Sequence, residues 1–93
     1  MKIKEVIIVE GRADTEALRH AVSADTIETN GSALGEQTIA AIKQAAVTRG
    51  VIIFTDPDFN GERLRKLISE FVPDAKHAFL TKDEAGRQIK HHS

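Results

Sequence analysis

Hydrophobic residues in this chain occur in short runs and in helical periods that alternate along the sequence. Two four-residue runs, Val6 to Val9 and Val51 to Phe54, have the β-branched composition of buried strands. The apolar residues between and after them recur at spacings of three and four, which is typical of amphipathic helices. The pattern predicts strands at 4–9, 25–29, 51–55 and 75–80, and helices at 14–22, 36–49 and 61–71.

The alternation of strands and helices predicts a compact, Rossmann-like α/β domain over residues 1–82, followed by a polar tail at 83–93. We expect a four-stranded parallel sheet with right-handed crossovers and helices on both faces. The first and third strands are predicted to be neighbours, so that their carboxyl ends form a crevice.

The helix periods also predict which side chains face the sheet. The residues expected to point inward are Ala17, Leu18 and Ala21 in the first helix, Ile39, Ile42, Ala46 and Val47 in the second, and Leu64, Leu67, Ile68 and Phe71 in the third. Arg63, Arg65 and Lys66 are expected on the outer, solvated side of the third helix.

Carboxylates follow both strong strands. Glu10 comes directly after the first strand, and Asp56 and Asp58 flank Pro57 after the third. Three carboxylates at one edge of a parallel sheet suit a hard divalent cation such as Mg²⁺, which prefers oxygen ligands. Taken singly, each acid has an ordinary explanation as a helix cap, a turn residue or a surface acid. Together they predict a metal site with Glu10, Asp56 and Asp58 as metal-binding and catalytic residues.

Two further acidic residues near the predicted metal site leave open whether it holds one metal ion or two. Asp14 and Glu62 can each complete a second metal site or cap the start of a helix, and capping is the favoured interpretation. Other enzyme and signalling classes also carry acids at strand ends. A dehalogenase-like phosphatase has its D-x-D after the first strand, and a receiver-like module has paired acids there, whereas this chain has Glu10-Gly11-Arg12.

Composition narrows the chemistry further. The 93 residues contain no cysteine and no tyrosine, which excludes disulfides, cysteine-bound metals and tyrosyl intermediates. The apolar runs are too short to span a bilayer, so a cytoplasmic location is expected. The formal net charge is -1, so affinity for a polyanion must come from local clusters or bound metal. The candidate contacts to a nucleic-acid backbone are Arg12, Arg63, Arg65, Lys66 and Lys82.

Three motifs in this chain resemble the signatures of the Toprim domain, which topoisomerases, primases, recombination mediators and some nucleases share. They are Glu10-Gly11-Arg12 with Asp14, Thr29-Asn30-Gly31, and Asp56-Pro57-Asp58 with Gly61-Glu62. The longer strings VEGRxD, DTIETNGSA, VIIFTDPDFxGE and KHAFL are similar to those of the ribonucleases that mature 5S ribosomal RNA.

This resemblance implies an endoribonuclease that cleaves double-stranded regions of the 5S rRNA precursor, presented with a 5S-binding large-subunit ribosomal protein. It implies one or two Mg²⁺ ions, with Mn²⁺ as a substitute, bound by Asp56 and Asp58, with Glu10 as a further ligand or general acid/base. Gly11, Gly31 and Gly61 would shape the backbone beside the site. Because enzymes of this kind carry a further C-terminal domain, we expect the isolated chain to be weak or inactive. The alternatives are a Toprim module of another nucleic-acid enzyme and a non-catalytic interaction module.

Overall fold

The computed structural model describes residues 2–30, 34–55, 59–80 and 89–92. These residues form eight elements: β1 (Val6–Val9), α1 (Arg12–Arg19), β2 (Thr26–Glu28), α2 (Glu36–Thr48), β3 (Val51–Thr55), α3 (Phe59–Phe71), β4 (Lys76–Leu80) and β5 (Ile89–His92). Among these described helices, none combines the length and the apolar character that crossing a membrane would require.

The strands form a single sheet with the order β2-β1-β3-β4-β5. The first four strands in the sequence pair in parallel, which confirms the predicted four-stranded parallel sheet. β1 lies between β2 and β3, so the predicted adjacency of the first and third strands is also confirmed. The carboxyl ends of β1, β2 and β3 therefore meet at one edge.

β5 is an edge strand that the hydrophobic pattern did not predict. It lies in the range 83–93, where a polar tail was expected, and pairs antiparallel with β4. Its sequence, Ile-Lys-His-His, contains one apolar residue and so carries no period-two signal. Pairing with an existing strand, rather than burial of an apolar face, accounts for such a strand.

Two apolar layers cover the two faces of the sheet. Ile8 and Ile53 pack with Ile42 of α2 and Leu64 of α3 on one face, and these four side chains are fully buried. Leu18 of α1 packs with residues of β1, β3 and β4 on the other face. The prediction of helices on both faces is confirmed.

Some inward-facing predictions for the first two helices were wrong. Ala17 and Ala21 are exposed, because α1 turns Thr15 and Leu18 towards the sheet and ends at Arg19, before Ala21 is reached. Val47 of α2 is 85% exposed. An alanine-rich helix has no single strong apolar stripe, so its rotation about the helix axis is set by packing rather than by the sequence period.

Ion pairs and hydrogen bonds of charged side chains stabilise the amino ends of the strands, at the edge of the sheet opposite Glu10. Arg49 lies 2.8 Å from a carboxylate oxygen of Asp25 and also donates to the carbonyl of Lys4 at 2.8 Å. Lys76 donates to Glu5 at 2.7 Å. These hydrogen bonds hold the pKa of Asp25 and the pKa of Glu5 below their ordinary values. These contacts lie at the amino ends of the strands, away from the carboxyl edge that holds Glu10.

Candidate functional site

Glu10 stands at the carboxyl edge of the sheet, directly after β1, and is half-buried. The chain leaving β2 runs beside it, because Thr29 donates its N–H to the carbonyl of Val9 at 2.9 Å and Asn30 donates to the carbonyl of Glu10 at 2.6 Å. Asn30 has φ 58°, in the left-handed region, which asparagine tolerates better than most residues. The Thr29-Asn30 motif is thus a turn built against Glu10.

On the other side of β1, β3 ends at the same edge of the sheet. The register pairs Ile8 with Ile53, and β3 ends two residues later at Thr55. Asp56 follows Thr55 in the sequence. The strand that leads into the D-x-D motif is therefore the hydrogen-bonded neighbour of the strand that leads into Glu10.

Four predicted site residues lie outside the described part of the chain: Asp56, Asp58, Gly31 and Lys82. Their roles stay predictions. Among the described residues, no three acidic or histidine side chains lie close enough together to hold one metal ion. Glu10 is the predicted metal ligand that the structure does describe, and it lies where the prediction requires.

The turn between β1 and α1 is held by a local hydrogen bond. The N–H of Gly11 donates to the Asp14 carboxylate at 3.1 Å, and Gly11 is the N-cap residue of α1. The capping role that was favoured for Asp14 is therefore confirmed. A Cβ built on Gly11 would meet no heavy atom within 4 Å among the described residues, so this backbone borders open space beside Glu10.

Three of the residues predicted to contact RNA are exposed cations in the structure. Arg12 directly follows the Glu10-Gly11 pair, and its side chain is 76% exposed while its Nε lies 3.6 Å from Glu16. Arg63 and Lys66 are exposed on α3, as predicted. An exposed pair such as Arg12 with Glu16 contributes little stability, so Arg12 can exchange its carboxylate partner for a phosphate at small cost.

The prediction that Arg65 faces solvent was wrong. Arg65 is 4% exposed and lies between α3 and the sheet. Its guanidinium donates to the carbonyls of Ile53 and Thr55 at 3.2 Å each and to the carbonyl of Ala78, and it contacts Nδ1 of His77 at 3.0 Å. A buried guanidinium is tolerated when its donors meet acceptors in this way. Arg65 fastens the carboxyl ends of β3 and β4 and does not reach outward to RNA.

A signal for this burial was present in the sequence. The buried positions of α3 are 61, 64, 65 and 68, which is the i, i+3, i+4, i+7 stripe of a core-facing helix. Position 65 was placed outside because the apolar residues at 64, 67, 68 and 71 form a stripe of the same spacing, rotated away from Arg65. Gly61 begins the buried stripe, which is consistent with its predicted backbone-shaping role.

The buried charge also affects a neighbouring histidine. Burial lowers the pKa of His77, and the adjacent Arg65 guanidinium lowers it further, while Glu62 acts in the opposite direction. Burial lowers the pKa of Arg65 as well. His77 is therefore neutral near pH 7 and can accept from the guanidinium, so it is a structural partner of Arg65.

A family model of the Toprim domain matches residues 5–91. The chain belongs to the Toprim family. The match confirms the resemblance carried by the three motifs and sets aside the phosphatase and receiver alternatives. It extends to residue 91 and so includes the first three residues of β5.

Curated relatives of this Toprim chain include two bacterial proteins named ribonuclease M5. The chain is 65% identical to the protein from Bacillus anthracis over 85 residues, which are 91% of this chain and 46% of that relative. It is 65% identical to the Bacillus subtilis (strain 168) protein over 82 residues, covering 88% and 44%. The chain thus spans about half the length of the curated relatives it matches.

A solved structure agrees with this fold. The small TOPRIM domain protein from Bacillus stearothermophilus superposes with a TM-score of 0.68 at 26% identity, covering 88% of this chain and 70% of that one. Toprim domains of ribonucleases generally use divalent metal ions. The carboxyl edge that holds Glu10 is therefore the candidate metal-binding edge of this Toprim domain.

Proposed function

We propose that this chain is the Toprim catalytic domain of an endoribonuclease that cleaves double-stranded regions of the 5S rRNA precursor during its maturation. The observation that carries the proposal is the 65% identity to ribonuclease M5 over nine-tenths of the chain. The fold supports it, because Glu10 and the strand leading to Asp56 are neighbours at one sheet edge. Cleavage takes place in the cytoplasm, where precursor RNA is made.

The donor chemistry at this edge fits a divalent cation, Mg²⁺ or Mn²⁺. Glu10 offers carboxylate oxygens in a half-buried position, and Asp56 and Asp58 offer two more carboxylates close in sequence to the end of β3. Hard cations prefer such all-oxygen sets. When bound, a divalent cation neutralises charge at a phosphodiester and lowers the pKa of an attacking water. Glu10 then acts as a ligand or moves a proton at that water.

Exposed cations near the edge provide contacts to the RNA backbone. Arg12 follows Glu10 closely in sequence, and Arg63 and Lys66 lie on α3, the helix that follows the D-x-D motif. Phosphate contacts of this kind position a nucleic acid without reading its sequence. With a net charge of -1, the domain needs additional binding from the rest of the protein and from a 5S-binding ribosomal protein.

Cleavage of the 5S rRNA precursor by the complete protein tests this function. We expect Glu10→Gln to reduce the cleavage rate about a thousandfold, since metal-assisted stabilisation of the transition state amounts to several kcal/mol. Glu70→Gln is the matched control, because Glu70 is an exposed glutamate near the end of α3 and should leave the rate unchanged. Wild-type cleavage by a correctly folded Glu10→Gln variant would refute the proposal.

A further inference from the structure

Two hydroxyl groups buried at the carboxyl edge have no hydrogen-bond partner among the residues that the structure describes. Thr29 is 7% exposed and Thr55 is 3% exposed. Within the described part of the chain, neither Oγ1 has a donor or acceptor in reach. Buried side-chain hydroxyls in folded proteins are normally hydrogen-bonded, so an exception calls for a missing water, ion or ligand.

Both hydroxyls flank Glu10 in the sheet. The register pairs Val9 with Glu28 and Ile8 with Ile53. When this register is continued along the strands, Glu10 lies opposite Thr29 on the β2 side and opposite Thr55 on the β3 side. The row across β2, β1 and β3 therefore reads Thr29, Glu10, Thr55.

Strand alternation places all three side chains on the same face. Ile27, Ile8 and Ile53 belong to the apolar layer beneath α2 and α3. The three residues of the row each come two positions after one of these isoleucines, and side chains two apart on a strand share a face. Neither hydroxyl bonds the Glu10 carboxylate directly, but neighbouring strands lie about 4.8 Å apart, so a single water can bridge each hydroxyl to a carboxylate between them.

We infer that Thr29 and Thr55 are positioning residues of the metal site, whose hydroxyls hold the Glu10 carboxylate and the water ligands of a divalent cation from either side. A threonine hydroxyl can donate to a carboxylate and accept from a water, so one side chain serves both needs. The inference rests on the proposed function, in which Glu10 belongs to the metal site. It explains why two buried hydroxyls have no hydrogen-bond partner among the described residues.

The test is a Mg²⁺ titration of the complete protein, without RNA, followed by backbone amide chemical shifts. We expect Thr29→Val and Thr55→Val each to weaken Mg²⁺ binding about tenfold, the effect of one lost hydrogen bond to a charged group. The serine variants Thr29→Ser and Thr55→Ser keep the hydroxyl and should bind like the wild type. Without metal, the valine variants should melt at or above the wild-type temperature, because an unpartnered hydroxyl has been removed.

Thr15→Val is the matched control for a buried threonine. Thr15 is 4% exposed, but its hydroxyl donates to Glu28 at 2.8 Å on the opposite face of the sheet. This variant should lower the melting temperature and leave Mg²⁺ binding unchanged. A merely structural role for Thr29 and Thr55 would give the same result as Thr15.

The possible outcomes separate this inference from the proposed function. If the wild type binds Mg²⁺, Glu10→Gln abolishes binding and the two valine variants bind normally, the inference is wrong and the metal site stands. If the wild type shows no saturable binding, or Glu10→Gln binds equally well, both the metal site and the inference are wrong. A melting temperature below wild type for both metal-free valine variants would also contradict the inference.

Discussion

Replacing Arg65 by methionine should destabilise the protein strongly. The substitution keeps the aliphatic stem and removes the guanidinium that donates to three carbonyls, those of Ile53, Thr55 and Ala78. Each lost hydrogen bond from a charged donor costs about 1.5–3 kcal/mol. The desolvation of the buried charge is relieved at the same time, so we expect a net loss of about 2–4 kcal/mol. Such a loss is a large part of a typical domain stability of about 5–15 kcal/mol.

Urea unfolding followed by far-UV circular dichroism measures this change directly. Arg63→Met is the control, because Arg63 is an exposed arginine on the same helix and should change the free energy of unfolding by less than about 0.5 kcal/mol. If Arg65→Met unfolds at the urea concentration of the Arg63→Met variant, the guanidinium does not hold the strand ends and our account of its burial is wrong.

Three further predictions concern single residues. Burial and Arg65 lower the pKa of His77 in the folded protein, so the unfolded chain binds more protons at this residue below about pH 6.5. The free energy of unfolding should therefore fall as the pH decreases below that value. A His77→Gln variant whose free energy of unfolding falls just as steeply would contradict this. Gly50→Ala should cost about 1–2 kcal/mol in urea unfolding, since φ is 88° and the new Cβ would lie 3.2 Å from Glu5 Cγ; an unchanged midpoint would refute it. Asn30→Val should lower the melting temperature while Asn30→Gly does not, because φ is 58°; equal melting of the two would count against a left-handed turn.

Most of the fold could be predicted from the hydrophobic pattern. The runs at Val6–Val9 and Val51–Thr55 are continuous and β-branched, as buried parallel strands require, and the intervening helical periods dictate crossovers. β5 could not be predicted, because an edge strand that pairs through its backbone needs no apolar face. The rotation of α2, which leaves Val47 outside, depends on packing that the alanine-rich sequence does not specify.

The candidate site was predictable where it depends on strand order and less so where it depends on side-chain environment. Glu10 lies at the predicted edge because parallel strands share their carboxyl ends. Arg65 was misplaced because the apolar residues of α3 offer a second stripe of the same spacing, and the three carbonyls that accept from its guanidinium belong to strands distant in sequence. The hydroxyls of Thr29 and Thr55 have no partner within the described part of the chain, and the sequence could not indicate this because it depends on the register of three strands.

We propose that Glu10, Asp56 and Asp58 hold one divalent-cation site, and a titration with paramagnetic Mn²⁺ tests this proposal most directly. Substoichiometric Mn²⁺ added to the isotopically labelled complete protein should broaden the amide signals of Glu10, Gly11 and Thr55 before others, because the paramagnetic ion relaxes nearby nuclei. The Asp56→Asn and Glu10→Gln variants should each suppress that broadening. Equal broadening in the wild type and both variants, or broadening centred elsewhere, would contradict the account.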